Sequence, residues 1–362
     1  MRVGIIAPPW LPVPPVAYGG TEAVLDVLAR GVAAAGHEVC LFTTGDSSCP
    51  VPKAWEFAES LGVGKGGLAA EIRHVIAAYE ALADCDVIHD HSLAGVLYGQ
   101  LVDSPPMLTT NHGPFSSDLG ALYRAVCGRV RVIAISRSQA AEAPDVRLAG
   151  IVHHGVEVES FPVGKGAGGY ALFLGRMVPE KGVHVAARVS RAAGMPLVIA
   201  AKMSEPAEFD YFHEQVEPLL GGGVDYVGEV GGADKLELLS DAVCLLNPIA
   251  WPEPFGMVMV EAGACGTPVV ATPAGAAPEI VVDELSGFIC ADEPSLIDAL
   301  GRVGDLERDI CRQVVSEHFS ADAMVARHVT LYQSAVARGR AVAAPVGGAD
   351  GQSRCNGTAT RW

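Results

Sequence analysis

Short apolar runs alternate with longer amphipathic stretches along most of this 362-residue chain. The runs at 3–7, 38–43, 86–89, 107–110 and 130–135 carry neighbouring apolar residues rather than apolar residues at every second position. That pattern predicts strands buried on both faces, as in a parallel sheet. Between them, 21–35 predicts a helix closed by Gly36, followed by helices at 68–83, up to Leu101 and at 137–143. The proline-dense loop 8–20 and the segment 50–67 carry no period and are expected to be irregular. Ile151, Val152 and His153 close this first half.

A glycine-rich stretch, 163–169, reads as a flexible linker, and the alternation then restarts. Strands are predicted at 170–174, 196–201, 224–228, 243–247, 268–272 and 287–290. Helices fall at 182–193, 207–220, 233–241, 275–282, 293–303, 306–318 and 320–338. The expected fold class is therefore α/β, with two doubly wound parallel sheets and a ligand cleft at the carboxyl ends of their strands. The division is 1–162, a linker 163–169, 170–319, a final helix 320–340, and a Gly/Ala/Ser-rich tail 341–362 expected to be disordered.

Composition narrows the partners. A net charge of −17 argues against nucleic acid or an anionic membrane surface. Half the residues are hydrophobic, yet no run reaches the roughly 18 apolar residues of a membrane span. The first residues lead straight into a strand, with too short an apolar region for a secretory signal. Nine cysteines stand singly without zinc-type spacing, which fits reduced thiols in a cytoplasmic protein.

The candidate chemistry centres on Trp251-Pro252-Glu253-Pro254-Phe255-Gly256-Met257-Val258-Met259-Val260-Glu261. The two prolines favour extended backbone before them, so a helix should begin near Gly256. The amides of Gly256, Met257 and Val258 then point out of the helix start unpaired, a ready anion site. Two carboxylates would repel a phosphate, so Glu253 and Glu261 are better suited to gripping hydroxyls on either side of it. A diphosphate with a sugar at each end has that layout.

Two glutamates with seven residues between them, the first in Pro-Glu-Pro-Phe-Gly, resemble the signature of the retaining glycosyltransferases of family 4, which have the GT-B fold. Upstream, Gly175-Arg176-Met177-Val178-Pro179-Glu180-Lys181-Gly182 resembles a second family motif, and the likeness spans roughly residues 1–335. It implies a donor nucleotide sugar, with a UDP or GDP base, bound in the second half, an acceptor on the first half, and a final helix crossing back. Arg176 and Lys181 would stabilise the departing diphosphate. Phe255, Gly256, Met257 and Val258 would form the phosphate-binding helix start. Glu261 would hold the ribose hydroxyls and Glu253 the transferred sugar. Gly19 and Gly20, after Tyr18, match the glycine loop facing the donor. Thr109-Thr110-Asn111-His112-Gly113 resembles the segment that brings a histidine to the sugar, which makes His112 the expected first-half catalytic residue.

Other features carry less. The glycine-rich run 62–67 lacks the preceding strand and the following Ser or Thr of a phosphate loop. Asp84-Cys85-Asp86 imitates a metal-binding motif but sits at the amino end of its strand. His89, His91, His112, His153 and His154 gather at strand ends, where structural roles outweigh a metal site. No metal and no resident cofactor are expected. An epimerase or hydrolase on the same architecture, and a non-catalytic nucleotide-sugar-binding protein, are the alternatives. The acceptor and the oligomeric state leave no mark in the sequence.

Overall fold

The computed structural model describes residues 1–16, 19–62, 67–128 and 130–343. Its first half runs β1 (Arg2–Ile6), α1 (Gly20–Ala34), β2 (Glu38–Thr43), β3 (Lys53–Trp55), α2 (Gly67–Ala81), β4 (Val87–Asp90), α3 (Leu93–Tyr98), β5 (Met107–Thr110), α4 (Ser117–Val126), β6 (Arg131–Ala134), α5 (Arg137–Ala141) and β7 (Leu148–Ile151). The second runs β8 (Ala171–Arg176), α6 (Val183–Ala193), β9 (Leu197–Lys202), α7 (Pro206–Tyr211), β10 (Val224–Gly228), α8 (Gly232–Asp241), β11 (Cys244–Asn247), α9 (Met257–Ala264), β12 (Val269–Ala271), α10 (Ala277–Ile280), β13 (Gly287–Ile289), α11 (Glu293–Arg302), α12 (Arg308–His318) and α13 (Ala321–Ala343).

The strands form a seven-stranded sheet in the order β3-β2-β1-β4-β5-β6-β7 and a six-stranded sheet in the order β10-β9-β8-β11-β12-β13. Their paired strands are parallel, as the consecutive apolar runs require. Alternate residues of one strand feed different layers. Val3 and Ile5 pack with Leu25 and Leu28 of α1, while Ile6 faces Val75 and Ala78 of α2. In the second sheet, Ala171 and Phe173 point one way and Leu172 the other. Parallel strands bring their carboxyl ends to one edge, which gathers the loops that carry the motifs.

The chain passes between the halves twice. It leaves the first sheet after β7 and returns before α13, which lies against α1, β4 and β5. The two passages are hydrogen-bonded to each other: the Val156 amide donates to Phe319 at 2.9 Å and the Ala321 amide to Val156 at 2.8 Å. Arg30 of α1 braces the outgoing passage through Glu157 at 2.9 Å.

Several expectations need correction. The stretch 163–169 is not loose: the amides of Gly164, Gly166 and Gly168 bond to Cys265, Ser240 and Asp241, and Arg308 donates to the Gly164 carbonyl at 2.8 Å. Its glycines permit close contact with the end of α8. The segment 50–67 contains β3, a short edge strand, and α4 arises where no helix was read. The helix expected over 207–220 is α7 to Tyr211, then widens to a π-helical turn at Phe212–Val216 and tightens to a 3-10 turn at Glu217–Leu219, which contains Pro218. α13 extends to Ala343; the rest of the tail, Tyr18, and residues 63–66 of the glycine-rich run lie outside the described residues. Among the described residues no helix is long and apolar enough to cross a membrane.

Candidate active site

The second half supplies a row of cation–carboxylate pairs at the carboxyl edge of its sheet. Arg176 ends β8, and Pro179 to Lys181 form a single tight turn before α6. Gly182 follows in a left-handed conformation with φ 74°, and a Cβ there would stand 2.1 Å from the Pro248 carbonyl oxygen. Only glycine lets the turn lie this close. The Ala250 amide then donates to the Glu180 carbonyl at 2.8 Å, which places Lys181 over the Trp251 ring at 5.5 Å and in an ion pair with Glu253.

Glu253 is fixed from three sides. Its carboxylate also accepts from the Trp251 indole at 2.9 Å, and its carbonyl accepts from the Ala276 amide at 3.0 Å. Gly275 presses on its backbone so closely that a Cβ would lie 2.2 Å from the Glu253 nitrogen. Gly256 then caps α9 without any side-chain bond. By helix geometry the first amides of α9 point outward. Glu261, in the second turn, receives the Lys235 ammonium from α8 at 2.8 Å.

Arg176 meets a third carboxylate. Its guanidinium donates to Glu208 at 2.6 and 3.1 Å, and Glu208 is only 2% exposed. Burial alone would raise that carboxyl, but bonds from the Ser204 amide and Arg176 hold it below its usual value. Each carboxylate near the helix start thus has its own cation. Together they are close to neutral, which removes the repulsion two bare glutamates would offer a phosphate.

Phe255 joins the two halves through its ring. Its ring is buried, with His154 edge-on at 5.2 Å, His153 stacked at 5.8 Å and Phe319 at 6.0 Å. Only its main chain is left for a ligand. The Met257 side chain packs against the cores of both halves and Val258 against that of the second, so here too the amides are the available groups. The small residues after Glu261 make room for α12: a Cβ on Gly263 would lie 2.6 Å from Val315.

In the first half, Gly20 opens α1 and a Cβ there would meet nothing within 4 Å among the described residues, while Gly19 is wedged between Pro15 and Glu22. Burial raises the Glu22 carboxyl against a bond from its own amide. β4 and β5 are adjacent and in register, Asp90 beside Thr109, so the residues leaving their carboxyl ends meet. His112 shares hydrogen bonds with His91 at 2.7 Å and His154 at 3.3 Å. His89 lies tilted against His91 with ring centroids 3.9 Å apart and bonds to Tyr332 of α13 at 2.7 Å. Burial, with repulsion from neighbouring imidazoles, pushes His112 down to about 3 and His91 and His154 well below the ordinary histidine value.

The halves are joined at this level. Glu279 of α10 accepts from the Arg137 and Ser138 amides at 2.9 and 2.7 Å and pairs with His153 at 2.9 Å. Among the described residues, no group of three or more His, Cys, Asp or Glu side chains is placed to hold a metal ion. Asp84 is exposed and Asp86 accepts from the Arg2 amide at the amino edge of the sheet, far from these loops in the topology. Lys235, Glu208 and Glu279 escaped the sequence reading because each acts through a contact distant along the chain.

The comparisons follow the same division. The family model for Glycosyltransferase Family 4 matches residues 18–160, and that for Glycosyl transferases group 1 matches residues 159–309. A phosphatidyl-myo-inositol mannosyltransferase of Mycolicibacterium smegmatis is 27% identical, covering 86% of each chain. An alpha-maltose-1-phosphate synthase of Mycobacterium tuberculosis is 27% identical over 80% of this chain and 84% of that one. The crystal structure of AviGT4, a glycosyltransferase involved in avilamycin A biosynthesis, is 27% identical, with a TM-score of 0.68 over 93% of this chain and 98% of that one. Anabaena Alr3699/HepE in complex with UDP and glucose shares the fold at 18% identity, with a TM-score of 0.72 over 92% of this chain and all of the other. Its two halves matched in the order the fold requires, the chain belongs to the group 1 and family 4 glycosyltransferases, GT-B enzymes that transfer sugars from nucleotide-sugar donors.

Proposed function

We propose that this glycosyltransferase moves a hexosyl group from a UDP or GDP donor to an acceptor hydroxyl, with retention at the anomeric carbon. The observation that carries the reading is the pairing of Glu253 with Lys181 and Glu261 with Lys235 around the start of α9. The names of the mannosyltransferase and maltose-phosphate synthase relatives support a hexosyl donor.

The donor diphosphate meets the open amides of Gly256, Met257 and Val258, and Lys181 turns from Glu253 toward a phosphate oxygen. The exchange leaves the Glu253 carboxylate free to accept from the sugar. Glu261 accepts from the ribose diol, and His112 holds the sugar from the first half. As the bond from the anomeric carbon to the phosphate oxygen breaks, that oxygen gains charge, which Arg176 and Lys181 favour over the ground state. The acceptor oxygen bonds to the same carbon on the same face, and its proton passes to the departing phosphate oxygen.

Calorimetry with UDP and GDP sugars, followed by transfer assays in excess EDTA, tests the reading. One donor class should bind, and a product formed with an added acceptor should keep the donor's anomeric configuration. An inverted product, or activity restored only by manganese or magnesium, overturns the mechanism. Turnover by C2 inversion without an acceptor points to an epimerase instead.

A further inference from the structure

The histidines at the carboxyl ends of β4 and β5 do more than fill space. His112 has both ring nitrogens engaged: Nε2 with His91 Nδ1 at 2.7 Å and Nδ1 with His154 Nε2 at 3.3 Å. A neutral imidazole carries one proton, so it donates from one nitrogen and accepts at the other. The three rings are therefore coupled. If His91 donates to His112, then His112 must donate to His154; if His154 donates, the whole direction reverses. The outer atoms of the series, His91 Nε2 and His154 Nδ1, are buried and make no hydrogen bond among the described residues.

The surroundings fix the His91 ring. His89 lies on it at 3.9 Å and is itself held by Thr110 at 2.8 Å and Tyr332 at 2.7 Å. His328 of α13 approaches His89 at 5.2 Å and bonds to the Met324 carbonyl. The neighbouring carboxylate, Asp90, accepts from the Ser92 amide and hydroxyl. On the far side Phe255 lies against His154. The longer of the two bonds to His112 is the one to His154, so it is the more easily given up to a ligand.

We propose that His91 is a positioning residue whose proton is coupled to that of His112, so that the two rings keep complementary tautomers, while His154 occupies His112 Nδ1 until a substrate hydroxyl replaces it. This rests on the reading of His112 as the sugar-facing residue. When the hydroxyl arrives, the bond to His91 persists, so His112 presents a donor to the hydroxyl when His91 donates and an acceptor when His91 accepts. His91 thus orients His112 as a third group orients a catalytic base.

The test compares His91→Asn with His91→Gln. Asn places an amide near the position of Nδ1, whereas Gln places it near Nε2, away from His112. Ring nitrogen shifts measured by NMR in the intact protein report the His112 tautomer without any activity assay. The His112 tautomer populations of the parent protein should persist in His91→Asn and change in His91→Gln. Turnover should fall by about tenfold or more in the Gln variant with the donor KM little changed, and the Asn variant should recover it. The pH profile of kcat should shift in the Gln variant alone. Equal His112 tautomer populations in both variants overturn the inference. If the tautomer responds as expected but His112→Gln transfers sugar normally, the tautomer link stands and the role of His112 at the sugar fails.

Discussion

Lys181 and Glu253, far apart in sequence, form an ion pair, with the ammonium over the Trp251 ring and the carboxylate accepting from its indole. A donor phosphate must therefore compete with a carboxylate for this ammonium. Glu253→Gln removes the competitor and also the acceptor proposed for the sugar, so donor binding and turnover should part company. Nucleoside-diphosphate affinity should hold or rise, while kcat and kcat/KM fall together by about 2.7–4 kcal/mol, as for other transition-state contacts. Calorimetry beside steady-state kinetics separates the two effects; a change in KM alone contradicts the assignment.

Glu261 is held by Lys235 and is proposed to face a ribose that barely changes during reaction. Its replacement by Gln should raise the donor KM with kcat nearly unaltered, the mark of uniform binding. Lys235→Met should act in the same direction, because Glu261 loses its orienting partner. Abolished turnover in Glu261→Gln would mean that the two glutamates have exchanged roles.

Arg176→Ala should weaken UDP or GDP binding by roughly 1.5–3 kcal/mol, the range of a charged hydrogen bond. It also strips a cation from the buried Glu208 carboxylate, so the single variant should be less stable in urea. Adding Glu208→Gln should restore the urea midpoint without restoring affinity. Recovery of both would show that Arg176 acts only as a counter-ion to Glu208.

The histidine series predicts a direction for acid sensitivity. Burial, the largest cause in each case, depresses His89, His91 and His154 well below their usual value, His112 to about 3 and His328 to about 4. An unfolded chain protonates these groups near pH 6.5, whereas the folded protein does not. Stability should therefore be retained above about pH 6.5 and fall between there and about pH 4, by up to roughly 1.4 kcal/mol per pH unit for each such histidine. Urea midpoints at pH 7.5, 6 and 5 should decline in that order; equal midpoints would contradict the prediction.

Much of this architecture was legible because parallel strands buried on both faces leave an unmistakable run. β2, β5 and β10 begin and end where their residues predict. β3 was not legible, since three residues at a sheet edge need no apolar period. Over 207–220 the helical extent was legible but the change of pitch was not, since no local residue marks the π-helical turn at Phe212–Val216. At the site, local motifs supply Arg176, Lys181, Glu253 and Glu261, because each belongs to a loop or helix start whose form short-range chemistry dictates. Glu208, Lys235 and Glu279 lack such a local signature. Their partners are set by how strands and helices stack, as when Glu279 reaches the amides of α5 across the cleft. The five sequence-flagged histidines were visible as a group, and the β4–β5 register decides which of them touch.

The two passages between the halves, bonded side by side at Val156 and Phe319, have a mechanical consequence. A single connecting strand would let one half swivel freely about its axis. Two strands joined at one place resist that swivel and leave bending across their common line as the softest motion. The join also ties the start of α13 to the chain leaving β7, so a substitution that disturbs Val156 or Phe319 loosens both passages at once.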